Sequence, residues 1–149
     1  MNRRNFLLST GSTVLVSGSA IAATPRMKVL KSPTCGCCSA WITHVQSAGL
    51  SVDAQDLTQD ALWAAKNKAG ITPELSSCHT GFIEGYVIEC HVPAADIQLL
   101  LAERPDAVGL TVPGMPIGSP GMEMGNQREA FDTLLVLHNG ETAVFESQT

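Results

Sequence analysis

Three of the five cysteines in this 149-residue chain fall within four positions, Cys35-Gly36-Cys37-Cys38. Thiolate sulfur exchanges disulfides and is a soft ligand for Cu(I), zinc and iron–sulfur clusters. The other two cysteines, Cys78 and Cys90, are followed by His79 and His91. A mononuclear zinc site usually draws its cysteines from spaced pairs. Cys37 and Cys38 are neighbours whose side chains point apart, so they suit a single ion poorly. Charge argues the same way, because one Cu(I) among four thiolates is left strongly negative, whereas equal numbers of each cancel. Thiolates bridging several copper ions satisfy both demands. The pattern is therefore read as a polynuclear copper–thiolate centre on Cys35, Cys37, Cys38 and Cys78. A disulfide framework fits less well: five is odd, and a structural staple usually closes a longer loop. The Cys35-x-x-Cys38 spacing also leaves open a metal-free dithiol.

Other soft or borderline donors lie near these cysteines in the reading. Ser119-Pro120-Gly121-Met122-Glu123-Met124-Gly125 is too rich in glycine and proline to pack as a regular core element. Met122 and Met124 share one face if it is extended, and are read as ligands or cover for the cluster. Met115 is assigned to packing or shielding. His79 is a candidate ligand or supporting group, since neutral imidazole binds copper. A structural hydrogen bond is as open a reading for His91 as a ligand role. His44 is read as solvated and His138 as a surface residue.

The elements that would position these groups follow from periodicity. Met27 to Leu30 reads as a strand, and Trp41, Ile42, Val45 and Ala48 recur at helical spacing, so a helix begins near Cys37. The positive end of its dipole favours thiolate in the preceding turn. A second strand is expected from Leu50 to Asp56. A helix is expected from Thr58 to Ala69, with Ala61, Leu62, Ala65 and Ala69 on one face. Phe82 to Ile88 reads as extended chain around Gly85, closing at His91-Val92-Pro93. Pro93 suits the first turn of a third helix facing the core through Ile97, Leu100 and Leu101. Asn139-Gly140 predicts a tight hairpin between Thr133–Leu137 and Thr142–Phe145.

This order resembles the thioredoxin fold. The expected class is α/β, a thioredoxin-like domain with an insertion of roughly residues 117–132 before the C-terminal β-hairpin. In that fold a cis proline faces the cysteine motif and leads into the hairpin, and Met115-Pro116 is matched to it.

The chain opens with Arg3-Arg4, then Asn5-Phe6-Leu7-Leu8 and a weakly apolar run ending in Ala20-Ile21-Ala22. Residues 1–22 read as a twin-arginine-like export signal, cleaved to leave a domain over 23–149. The run is too short and too diluted by Gly, Ser and Thr for a membrane anchor. Cleavage lowers Lys+Arg from 9 to 7 against 14 acidic residues, a net charge of −7. That balance argues against nucleic acid or an anionic membrane as partner. A periplasmic, monomeric domain is expected.

Cys35-x-Cys37-Cys38, Ser77-Cys78-His79-Thr80, Gly85-Tyr86-Val87-Ile88-Glu89, His91-Val92-Pro93-Ala94 and Val112-Pro113-Gly114-Met115-Pro116-Ile117-Gly118-Ser119-Pro120-Gly121-Met122 together resemble the CopG-type exported copper-resistance proteins. The resemblance covers essentially the whole mature chain. It implies a thioredoxin-like domain whose C-terminal extension contributes to metal binding. It also implies a cysteine-bridged multicopper cluster, on Cys35, Cys37, Cys38 and Cys78, and interconversion of Cu(I) and Cu(II) during detoxification. The family typically has glycine where this chain has Cys90; an extra ligand, a disulfide partner and a buried small residue are its open readings, the last being favoured. Whether such a protein turns over as a copper oxidoreductase is not decided by sequence. The competing readings are a metal-free thiol–disulfide oxidoreductase and a copper carrier to an efflux system.

Overall fold

The structure is a computed structural model and describes residues 24–149; the export-signal reading of residues 1–22 lies outside them. Ten elements follow in order. The first seven are β1 (Arg26–Lys31), α1 (Gly36–Ser47), β2 (Ser51–Asp56), α2 (Gln59–Lys68), β3 (His79–Ile83), β4 (Tyr86–Cys90) and α3 (Ala94–Glu103). β5 (Gly109–Val112), β6 (Phe131–Val136) and β7 (Thr142–Gln148) complete the chain. All strands join one sheet in the order β2-β1-β3-β4-β5-β6-β7. β1 runs parallel to β2, and β4 parallel to β5; the other neighbouring pairs are antiparallel. Among the described residues, no helix is long and apolar enough to cross a membrane.

The strand alternation divides the helices between the two faces of the sheet. Met27, Val29 and Ile88 join Trp41 and Val45 of α1 and Ile97 and Leu100 of α3 in one buried cluster. The neighbouring position on β4, Glu89, instead meets α2 through Lys66. α1 and α3 are also tied by polar contacts: Trp41 Nε1 donates to Val92 O at 2.8 Å, and Gln98 Nε2 to Ala48 O at 2.9 Å.

The helix expectations hold in outline and differ in detail. Thr58 caps α2 by accepting from Ala61 N, worth about 1 kcal/mol. Yet the fully buried residues of α2 are Leu62 and Lys66, while Ala61 is exposed and Ala65 and Ala69 only half-buried. A lysine occupies the inner face because a buried carboxylate meets it there. Pro93 stands one residue before α3, as its N-cap. His44, read as solvated, is half-buried, and its Nε2 accepts from Ala94 N at 3.1 Å. It satisfies an orphan donor at the start of α3, where Pro93 offers no side-chain cap.

Two turns organise the hairpins. Glu84 and Gly85 both adopt positive φ, +46° and +92°, the two-residue turn that matches strand twist, and join β3 to β4. At the second hairpin only Gly140 does so, at +86°. Leu137 O accepts from Gly140 N and Leu137 N donates to Glu141 O, giving a wider loop than the two-residue turn expected there.

The proline landmark is corrected. Every peptide bond among the described residues is trans, and Met115 takes a left-handed φ of +50° with 38% of its surface exposed. The chain from Val112 to Phe131 is a long series of turns leading to the edge hairpin β6–β7. The hairpin at the centre of the sheet is β3–β4, and the residue that leads into it is Cys78.

Candidate metal centre

The cysteine turn is built by the way β1 gives onto α1. Ser32 O accepts from Cys35 N at 3.2 Å, closing a turn through Pro33 and Thr34. Cys35 then caps α1, its sulfur accepting from Cys38 N at 3.3 Å in the place where a hydroxyl or carboxylate commonly sits. Cys35 and Cys38 are joined as a disulfide, with Cα atoms 5.4 Å apart. The sequence reading favoured thiolates at all three positions of the turn; one helical turn instead places these two sulfurs in bonding range. Cys37 remains free, as do Cys78 and Cys90.

Cys78 reaches the turn from the far side. Its Sγ lies 3.7 Å from Cys37 Sγ, and Cys37 Sγ lies 3.4 Å from Cys35 Sγ. A buried network fixes the backbone around it. Glu89 Oε1 accepts from Ser77 N at 2.9 Å and from Lys66 Nζ at 2.5 Å. Lys66 Nζ also donates to His79 O at 3.1 Å and to Thr80 Oγ1 at 2.8 Å. Thr80 in turn donates to Glu89 Oε2 at 2.7 Å. Both charged side chains are fully buried. The ion pair clamps residues 77, 79 and 80, and so sets where Cys78 points.

Behind Cys78 lies a second group of donors. Cys78 N donates to Cys90 Sγ at 3.0 Å, and the two sulfurs are 3.7 Å apart. Cys78 Sγ is 3.3 Å from His79 Nδ1 and 3.2 Å from His91 Nε2. Two foursomes therefore form, each with its ligand atoms within 4.8 Å of one another: Cys35, Cys37, Cys38 and Cys78, and then Cys78, His79, Cys90 and His91. Cys78 belongs to both.

Electrostatics favour ligand forms of the imidazoles. Burial holds His79 well below the usual imidazole range, with His91 and Lys66 adding to the effect. Burial also lowers His91, against the opposing hydrogen bond to Pro120 and the charge of Glu123. The Cys78 thiol is raised, first by its hydrogen bond with Cys90 and then by burial. Burial pushes Cys90 up too, but hydrogen bonds from Cys78, Ser77 and the backbone at His79 outweigh it, and the net direction is down. Within the pair, Cys90 is the thiol that ionises more readily and Cys78 the one that holds its proton longer.

The segment between β5 and β6 does reach the turn. Pro120 O lies 2.8 Å from His91 Nδ1. A Cβ on Gly121 would stand 2.7 Å from Cys37 O and 2.8 Å from Trp41 N, so only glycine allows this approach, at φ +86°. Met122 follows directly and is half-buried, whereas Met124 is 56% exposed and bridges to Gln127. His138 is exposed, as expected, and pairs with Asp106.

Comparison with known proteins gives the family. Two solved structures named copper resistance protein CopG, forms 1 and 2, are each 40% identical to this chain, with TM-scores of 0.78. Both alignments cover 85% of this chain; they span 98% of form 1 and 100% of form 2. The chain belongs to the CopG-type family. A family model described as a protein of unknown function, DUF411, matches residues 75–122, which includes Cys78, Cys90, both adjoining histidines and Met122. No curated protein sequence matches.

In this CopG-type chain the sequence reading gathered Cys35, Cys37, Cys38, Cys78 and His79, and the fold brings those five together. It favoured packing for Cys90 and left His91 open, yet both converge on Cys78. A signal for them was available. Counting six residues outward from either side of the Glu84-Gly85 turn sets Cys78 opposite His91 and His79 opposite Cys90, in line with the observed Thr80–Glu89 and Gly81–Ile88 register.

Proposed function

We propose that this CopG-type chain binds several copper ions through bridging cysteine thiolates outside the cytoplasmic membrane, and serves copper resistance by interconverting Cu(I) and Cu(II). The observation that carries this reading is the foursome Cys35, Cys37, Cys38 and Cys78, whose sulfurs crowd within 4.8 Å at the N-terminus of α1. So compact a set of soft donors is better matched to shared ions than to one. His79 and Met122 would add donors or cover at its margin, with Met124 on the outer, exposed side. The order β2-β1-β3-β4, with the cysteine turn between β1 and α1, supports a thioredoxin-like description of residues 26–103.

The Cys35–Cys38 pair supplies the redox partner. Its two thiols give up two electrons and two protons on forming the disulfide, one electron to each of two Cu(II) ions, which leave as Cu(I). Reduction of the disulfide by a thiol reductant restores the pair.

Anaerobic Cu(I) titration of the reduced protein tests the reading. More than one copper per chain is expected when the protein is fully reduced, and fewer when Cys35 and Cys38 are disulfide-bonded. One copper or none in the reduced protein overturns it. The observed disulfide also favours a second reading, a thiol–disulfide oxidoreductase that needs no metal. Copper-free protein that reduces insulin disulfides, and takes up no copper, would establish that one instead.

A further inference from the structure

We propose that Cys90 is a metal ligand, completing an inner, buried copper position with Cys78, His79 and His91. The proposal extends the copper reading, which supplies only the identity of the ion; the donor set stands on its own geometry.

Four features point to a ligand there. First, the donor spacings suit one tetrahedral soft cation. Metal–sulfur bonds of about 2.3 Å and metal–nitrogen bonds of about 2.0–2.1 Å set the edges of such a tetrahedron at about 3.5–3.8 Å. The edges observed without metal are 3.7 Å for Cys78–Cys90, 3.3 Å for Cys78–His79 and 3.2 Å for Cys78–His91. Small outward shifts close the difference. Second, the tautomer of His91 is set for binding. Its Nδ1 donates to Pro120 O, so the lone pair lies on Nε2, the atom facing Cys78.

Third, the donors are withdrawn from water: His79, His91 and Cys90 are fully buried, and His79 presents Nδ1, not Nε2, to Cys78. Fourth, Cys90 occupies backbone that suits glycine. Its φ of +65° is left-handed, a conformation that costs a non-glycine residue roughly 1–2 kcal/mol. A residue serving only to fill space there would gain from being glycine. The thiol is what glycine cannot supply.

On binding, Cu(I) displaces the thiol protons of Cys78 and Cys90 to solvent. Cys78 then bridges the inner ion to those held by the cysteine turn, because it is the one residue common to both foursomes.

The test separates this position from the outer cluster. The full chain, reduced and oxygen-free, is titrated with Cu(I) in four forms: wild type, C35S/C37S/C38S, C90G, and all four substitutions together. Bound copper is counted by metal analysis, and X-ray absorption at the copper edge reports sulfur and nitrogen neighbours. The triple variant is expected to retain one Cu(I) with mixed sulfur and nitrogen ligation, and the quadruple variant to lose it. C90G alone should hold one copper fewer than wild type. The backbone at Cys90 favours glycine, so C90G should melt no lower than wild type; C90S, which keeps an acceptor for Cys78 N, serves as a second check. A triple variant that binds nothing, beside a wild type that binds several ions, overturns the inner position and leaves the cluster standing. A wild type that binds one ion, retained by the triple variant and lost with C90G, does the reverse.

Discussion

Replacing Lys66 with methionine tests whether the buried ion pair holds the site together. The substitution keeps the chain's length and apolar stem but removes a charge that contacts Glu89, Thr80 and the His79 carbonyl. Glu89 stays fully buried, with Ser77 N and Thr80 Oγ1 as its remaining donors. Stripping one partner from a buried pair costs about 3–5 kcal/mol, because the other charge is left uncompensated. For a domain of this size that is a fall in melting temperature of about 10–20 °C. Glu89→Gln added to Lys66→Met removes the stranded charge and keeps an acceptor for Ser77 N, and should recover at least half the loss. The site should feel the single change too. With His79 O released, the strand entrance carrying Cys78 loosens, and Cu(I) affinity measured by chelator competition should fall on the order of tenfold, or about 1.4 kcal/mol. Calorimetry of the copper-free, reduced protein and the competition assay together decide the matter. A Lys66→Met variant that melts within a few degrees of wild type would refute the reasoning, since a buried, unpaired carboxylate has no cheap refuge.

Other perturbations probe the margins of the site. Gly121→Ala sets a Cβ against the backbone of Cys37 and Trp41 in a left-handed conformation; a loss of roughly 1–2 kcal/mol is expected, with faster chelator removal of copper. Unchanged stability and removal rate would mean the segment does not cover the turn. Met122→Ala with Met124→Ala should quicken air oxidation of bound Cu(I) and leave the fold intact, most of the effect coming from half-buried Met122; an unaltered oxidation rate removes the thioethers from the site. Copper-free protein should lose stability as pH falls from the unfolded imidazole value near 6.5 through the lower folded values of His79 and His91, because the unfolded chain takes up protons that the folded chain refuses. The slope is at most about 1.4 kcal/mol per pH unit for each histidine, and denaturant titrations above about pH 5 measure it clear of the carboxylates. A slope that survives His79→Gln with His91→Gln would place its origin elsewhere.

What could be read in advance follows the range of the interactions involved. The cysteine turn and α1 were legible because their signals are local: an apolar strand, a proline-containing turn, then Trp41 and Val45 one helical turn apart. Lys66 was not, since a lysine on an amphipathic helix looks solvated until a carboxylate 23 positions along the chain is folded against it. His44 escaped for the same reason: the donor it accepts from lies 50 positions away. Met115-Pro116 misled because a motif was matched to the wrong hairpin. Chain order alone does not say which of two hairpins sits at the centre of a sheet.

Register is the deeper link between this sequence and its chemistry. The Cys78-His79 and Cys90-His91 doublets lie at the open ends of β3 and β4, and only the two-residue turn at Glu84-Gly85 sets them opposite one another. In an antiparallel pair a slip of one residue turns each side chain to the other face of the sheet. The same slip would carry Glu89 away from Lys66 and Thr80. The ion pair thus opposes any register that would scatter the donors, and a buried charge that contributes little net stability becomes intelligible as the device that selects one pairing. Inserting a glycine between Glu84 and Gly85 should therefore damage copper binding and the buried pair together. Loss of either one alone would separate the two roles.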